Sequence, residues 1–189
     1  MPSPIAHTVV GYLVYRAARE RLPNYKRWHI GPLPLLLGIA VLFSVLPDVD
    51  AVFGILAGDF GRFHNNGTHS LVLAFAIALL VAGAIWFRLR KGFLSWFFIC
   101  FFSYASHVLM DFFTLGGRGV MLLWPFTTNR YDSSFKLFYG VRWSNGFFAI
   151  EHLWTILTEV GFVLVVILIF RVGSFGTRRL NSLGKQFDN

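Results

Sequence analysis

Residues 93–115 read FLSWFFICFFSYASHVLMDFFTL. The run is apolar and long enough to cross a bilayer as a helix, for which about 20 residues suffice. It nevertheless carries His107 and Asp111 within the apolar run. Four residues apart on a helix, these side chains share one face and reach a common partner. An ionisable group in hydrocarbon is costly, so such residues line the interior of a bundle and act there. An imidazole and a carboxylate on one face suit a borderline divalent metal such as zinc. The same pair also serves as hydrogen-bonding glue between two helices. The neighbouring segments decide between these two uses.

Of the 189 residues, 56% are hydrophobic and only 14% are charged, with a mean hydropathy of +0.60. A soluble domain would carry about 25% charged residues. The expected class is therefore an all-α, polytopic membrane bundle, with residues 1–175 as one domain and 176–189 as a polar cytoplasmic tail, disordered or surface-bound. Seventeen basic against nine acidic residues give a net charge of +8. In a soluble protein that excess would suggest nucleic acid. Here the basic residues gather at the ends of apolar runs, as membrane topology requires, and no nucleic-acid partner is expected. The single cysteine, Cys100, excludes an intramolecular disulfide and a Cys-based metal site, leaving His, Asp and Glu as ligands. The N-terminus has neither a basic n-region nor an Ala-x-Ala site, so no cleaved signal peptide is expected.

Residues 4–22 read as a helix, apolar as far as Tyr15 and basic at Arg16, Arg19 and Arg21. It is too short to span alone and carries His7, which in isolation would be incidental. The first full span, residues 33–57, is interrupted by Pro47-Asp48-Val49-Asp50. Either the proline marks a break that turns both carboxylates inward, or only one of them is a ligand. A short polar loop with Asp59, Arg62 and His64 leads to Thr68-His69-Ser70, at the mouth of a second span over residues 71–87. Arg88, Arg90 and Lys91 close that span before the 93–115 helix begins. The connection over residues 116–146 is too long for a passive loop. It carries Arg118, Arg130 and Arg142 around Trp124-Pro125-Phe126, which fits interfacial anchoring or recognition of an anionic head group equally well. The last span, residues 147–170, contains Glu151, His152 and Glu159, with Glu151, Thr155 and Glu159 on one stripe.

Basic clusters precede the first span, separate the second from the third, and follow the fourth. The positive-inside rule puts all three, and both termini, in the cytoplasm. At 1.5 Å of rise per residue, Asp48 stands about 22 Å above Leu33 and His107 about 21 Å above Phe93. Asp111 comes out at about 27 Å, His69 at about 28 Å above Arg88, and Glu151 at about 30 Å above Arg171. The polar residues thus share one layer toward the outer leaflet. Independent glue pairs would scatter through the bilayer depth, so the common layer favours a metal site.

His7, Leu46-Pro47-Asp48-Val49-Asp50, Thr68-His69-Ser70, His107-x-x-x-Asp111 and Leu123-Trp124-Pro125-Phe126, in this order, resemble the YdjM-like family of LexA-binding, inner-membrane, metal-dependent hydrolases. The resemblance runs from about residue 4 to residue 170. The family's His-Arg-Gly-x-Thr-His-Ser stands here as His64-Asn65-Asn66-Gly67-Thr68-His69-Ser70, without the arginine; Arg62 or an arginine of the long loop is its replacement. More distantly, the ligand order is similar to that of zinc-dependent phospholipases C and the single-strand nucleases of that fold. Their later ligands have only Glu151 and His152 as counterparts, so one or two metals are expected rather than three.

The resemblance implies a membrane-embedded hydrolase that cleaves a phosphoester of a lipid or other amphiphile. Asp48, His69, His107 and Asp111 would be the main ligands of one or two divalent ions, zinc favoured and manganese possible. His7 and Asp50 come next, then His64 and His152. Asp50 or Glu151 would act as base or orient a histidine, and Arg118, Arg130 and Arg142 would steer an anionic head group. An ion transporter and a non-catalytic adaptor are the alternatives, although transporters show matched breaks in two halves and one break is evident here.

The topology is open to direct test. Cysteines placed at Asn66 and Asn129 should react with a membrane-impermeant maleimide from the outer face only. Labelling from the cytoplasmic face would invert the assignment and move the polar layer to the inner leaflet.

Overall fold

In hydrocarbon every backbone N–H and C=O must be satisfied within its own segment, so the apolar runs fold as helices. The structure, a computed structural model, describes residues 1–19, 29–30, 33–59, 63–90, 92–141 and 149–187. Among these, four helical segments are long and apolar enough to cross a membrane: Leu35–Leu56, Leu71–Leu89, Phe93–Phe112 and Glu151–Ile169. Helix α1 (Pro4–Arg19) precedes them and is too short to be a fifth. Two short pairings complete the fold. Strands β1 (His29–Ile30) and β2 (Leu33–Pro34) run antiparallel, and β3 (Thr114–Leu115) pairs in parallel with β4 (Phe138–Tyr139).

The first span is not one helix. Helix α2 (Leu35–Val45) ends in a 3-10 turn over Leu46–Asp48, and helix α3 (Val49–Leu56) resumes after it. Pro47 lies in the first turn of this 3-10 segment, and its lack of an N–H forces the change of register. The break anticipated at Pro47 is thus present.

Helix α5 (Phe93–Phe112) is central, packing against α2 and most extensively against α4 (Leu71–Leu89). Ala74, Ala78 and Ala82, spaced four apart, are completely buried and let the α4 and α5 backbones approach closely. Phe43, Cys100, Tyr104 and Val108 complete this core. Arg90 and Gly92 take left-handed conformations between the two helices.

Helix α1 packs against α2 and α5. Gly11 makes the approach possible, since a Cβ there would lie 2.4 Å from Ser44 Oγ and 2.8 Å from the Ala40 carbonyl. At the start of α1, Ser3 is the N-cap, its Oγ accepting from Ala6 N–H at 3.3 Å, and Pro4 takes the first helical position. Ser3 also donates its N–H and its hydroxyl to the Glu159 carboxylate, at 2.5 and 2.6 Å. A buried acid on the last span thereby holds the first helix by its positive end.

The connection after α5 folds back over the end of the bundle that carries the start of α4. Ser70 caps α4 through Val72 and Leu73 N–H, and its hydroxyl is within 2.7 Å of the Trp124 carbonyl. Leu71 N–H bonds the Leu122 carbonyl, and Val120 bridges to Tyr131.

The segment anticipated as a disordered or surface-bound tail is helical as far as Phe187, the end of helix α6 (Glu151–Phe187). No proline follows Phe170, so nothing interrupts the hydrogen-bond ladder where the helix leaves the apolar zone. Arg62, Lys91 and Arg142 lie outside the described residues.

The Gly11 contact sets a packing test. Gly11→Val should separate α1 from α2 and lower stability by about 1–3 kcal/mol, the usual cost of overpacking. A reduced thermal midpoint in detergent is the expected readout, and an unchanged midpoint would mean that α1 does not sit on α2 as described.

Candidate metal centre

Seven side chains from four segments meet at one end of the bundle. His7 comes from α1, and Asp48 and Asp50 from the break in the first span. His64 and His69 come from the loop before α4, and His107 and Asp111 from α5. His7, His69 and His107 are fully buried, and Asp111 nearly so.

The break supplies more than carboxylates. Pro47 has no N–H to occupy the Ser44 carbonyl in 3-10 register, and that carbonyl accepts a hydrogen bond from His107 Nδ1 at 2.7 Å. A carbonyl only accepts, so the proton of neutral His107 sits on Nδ1 and its lone pair on Nε2. Asp50 does the same for two other rings. His64 Nδ1 lies 2.9 Å from its Oδ1, and His69 Nδ1 lies 3.3 Å from its Oδ2. Thr68 donates to the same carboxylate at 2.5 Å. The Thr68 carbonyl is in turn held by the Tyr104 hydroxyl at 2.6 Å.

The inward-facing atoms are therefore acceptors. His69 Nε2 stands 3.2 Å from His107 Nε2, 3.1 Å from Asp111 Oδ2 and 3.7 Å from Asp48 Oδ1. His107 Nε2 lies 3.4 Å from Asp48 Oδ1. His7 stacks on His107 with ring centroids 3.6 Å apart, and its Nε2 is 3.8 Å from Asp111 Oδ1. Among the described residues, neither nitrogen of His7 and neither oxygen of Asp48 or Asp111 finds a hydrogen-bond partner of acceptable geometry. Buried lone pairs facing one another repel unless a positive charge lies between them.

The protonation preferences agree. Burial alone would depress the His69 imidazole, yet Asp111, Asp48 and Asp50 together hold it well above its ordinary value. His7 is pushed down to about 3, first by burial and then by His107. A cation is thus favoured at His69 Nε2, where a proton and a metal ion compete, while His7 stays neutral and able to ligate.

Three triads offer ligand atoms within 4.8 Å of one another: His7, Asp48 and His107; Asp48, His64 and His69; His69, His107 and Asp111. Nitrogen and carboxylate oxygen in these combinations fit a borderline divalent ion. Asp50 stands outside the triads and behaves as the carboxylate behind two histidines. Glu151 and His152, half-buried in the first turn of α6, belong to none of the triads.

Two of the expected head-group arginines are engaged with the loop. Arg118 donates to the His64 carbonyl at 3.0 Å. Arg130 donates to the Asn65 carbonyl at 2.8 Å and to Asn66 Oδ1 at 2.5 Å. Long-loop arginines thus reach the segment where the family arginine is replaced. Asn65 itself is left-handed, with φ of 58°, a conformation that asparagine tolerates. The supporting groups that sequence reasoning missed are the Ser44 carbonyl, Thr68 and Tyr104. Thr68 stood inside a quoted motif, whereas a backbone carbonyl leaves no trace in a sequence.

Fold and site together define an all-α inner-membrane protein with a buried His/Asp centre. The chain belongs to the YdjM inner membrane protein family, which matches it over residues 1–180. It is also similar to Inner membrane protein YbcI of Escherichia coli (strain K12), with 39% identity over 110 residues, 55% of this chain. The chain spans about three fifths (61%) of that relative's length. No solved structure matches the chain.

The division between holding and orienting groups is measurable. Asp50→Ala should weaken metal affinity by about 10–100-fold, the usual loss for a carboxylate behind a ligand histidine. Asp48→Ala should weaken it more. Metal titration of the two purified variants checks this, and equal losses would make Asp50 a ligand.

Proposed function

We propose that this protein is a membrane-embedded, metal-dependent hydrolase acting on a phosphoester of a lipid or other membrane-accessible amphiphile. The observation that carries the proposal is the convergence of the Nε2 atoms of His69 and His107 with the carboxylates of Asp48 and Asp111, a nitrogen and oxygen donor set drawn to one buried point. Such a set asks for one or two divalent ions, zinc favoured by the mixed nitrogen and oxygen donors and manganese possible. When bound, the metal supplies Lewis acidity, which acidifies water and offsets charge on a phosphoryl group.

The protein's own groups do the rest. His69, His107, Asp48 and Asp111 hold the ion, with His7 and His64 beside them. Asp50 fixes two imidazoles in the tautomer that presents Nε2. Asp48 has the most exposed side chain of the three carboxylates, 15% against 6% for Asp50 and 1% for Asp111, so it is the ligand most open to exchange. Arg118 and Arg130 place two guanidinium groups over the loop and favour an anionic head group there. With both termini cytoplasmic, the cluster lies toward the outer leaflet.

Metal stoichiometry on folded, monodisperse protein tests the proposal. His107→Ala and Asp111→Ala should each lose metal and hydrolysis while the fold persists. The double variant should be hardly worse, because residues acting as one unit are not additive. Phe112→Ala, off the shared face, should retain metal. Full retention in both single variants, with a stability loss of about 1–2 kcal/mol, would reduce the pair to helix packing. Metal binding without turnover in detergent would favour the transporter alternative.

A further inference from the structure

A cavity of about 710 Å³ opens beside the cluster, within the 300–1,000 Å³ range of ligand sites. Its polar side is formed by Asp50 and Thr68, the pair that orients the histidines. Its walls are Phe53 and Leu56 of α3, Leu73 at the start of α4, and Trp124. Trp124 is fixed by its contact with Gly67, where a Cβ would come within 2.8 Å of the indole. Phe53 and Leu56 are 59% and 79% exposed at the rim.

Phe53, Leu56 and Leu73 belong to segments able to cross a membrane, so the apolar rim on their side faces lipid, while Phe63, Asn66, Gly67 and Trp124 of the loops close the other side. A soluble substrate would gain nothing from apolar walls and an apolar rim. An aliphatic chain entering sideways would bury its methylenes there, each worth about 0.8 kcal/mol when removed from water. The polar end of the same molecule would then stand at Asp50 and Thr68, against the cluster.

We infer that this cavity is the binding site for one acyl chain of a membrane lipid, entered laterally between α3 and α4, with Phe53, Leu73 and Trp124 setting which chains fit. The inference rests on the hydrolase proposal for its purpose, but not for its test. Protein in vesicles of phosphatidylglycerol, with a small fraction carrying a diazirine on one acyl chain, is irradiated and the labelled peptides are mapped. Label is expected on the peptides carrying Phe53, Leu56 or Leu73. Ala57→Trp and Phe53→Trp, which place a larger ring in the cavity, should each cut that label by about tenfold, the order of discrimination an apolar pocket gives. Both positions are exposed, so monodisperse protein is expected from each. Leu80→Trp, on the outer face of α4, should label as the unaltered protein does. Label confined to the separate groove between α1 and α5 lined by Val14, Phe98 and Phe102, or undiminished label in both cavity variants, would overturn the inference. Labelling needs no turnover, so failure of the hydrolase proposal and failure of the acyl-chain site give different results.

Discussion

Two carboxylates placed in an apolar layer, Asp48 and Asp111, set the terms for everything around them. An isolated carboxylate there would take up a proton rather than stay charged. Each instead faces imidazole nitrogens, at 3.1 Å for Asp111 and 3.4 Å for Asp48, an arrangement that a shared positive charge would complete. The histidines around them are not ornaments of a packed core. His7 and His107 stack at 3.6 Å, and the Nε2 atoms of His69 and His107 meet at 3.2 Å, where a proton or a metal ion would be shared between them.

The supporting structure answers that demand at successive distances. Nearest are the Ser44 carbonyl and the Asp50 carboxylate, which decide where the protons sit on His107, His64 and His69. Behind them stand Thr68 and Tyr104, which tie the loop to α5. Outermost are Arg118 and Arg130, which clasp the loop backbone from the long connection. One proline serves two of these layers, since the turn it imposes both aims the aspartates and leaves a carbonyl for His107. Membrane helices rarely break without such a use for the backbone they release.

Much of this was legible in the sequence because lipid restricts what a chain can do. Uninterrupted apolar runs had to be helices, and charged residues inside them had to meet. Counting helical rise then put Asp48, His69, His107 and Asp111 in one layer, and the structure brings those four side chains together. His7 was harder to place. A lone histidine in a helix too short to span carries little signal, and its burial depends on Gly11, whose missing side chain lets α1 settle onto α2. The helical course of residues 171–187 was not read from a polar composition that fits a disordered or a surface-bound segment alike, yet continuation of an existing helix needs no new nucleus. Glu159 was placed on a stripe with Glu151, yet periodicity gave no hint that its partner would be the backbone of Ser3.

That last contact has a consequence in time. A growing chain emerges N-terminus first, so α1 is made long before α6. Until the final span arrives, the first helix lacks the carboxylate that anchors its amino end, although α2 and α5, on which it packs, are already made. All seven side chains of the cluster precede α6, so the last span adds no residue to it. What the late helix contributes is a clamp, closing on the amino end of a helix that has already found its place.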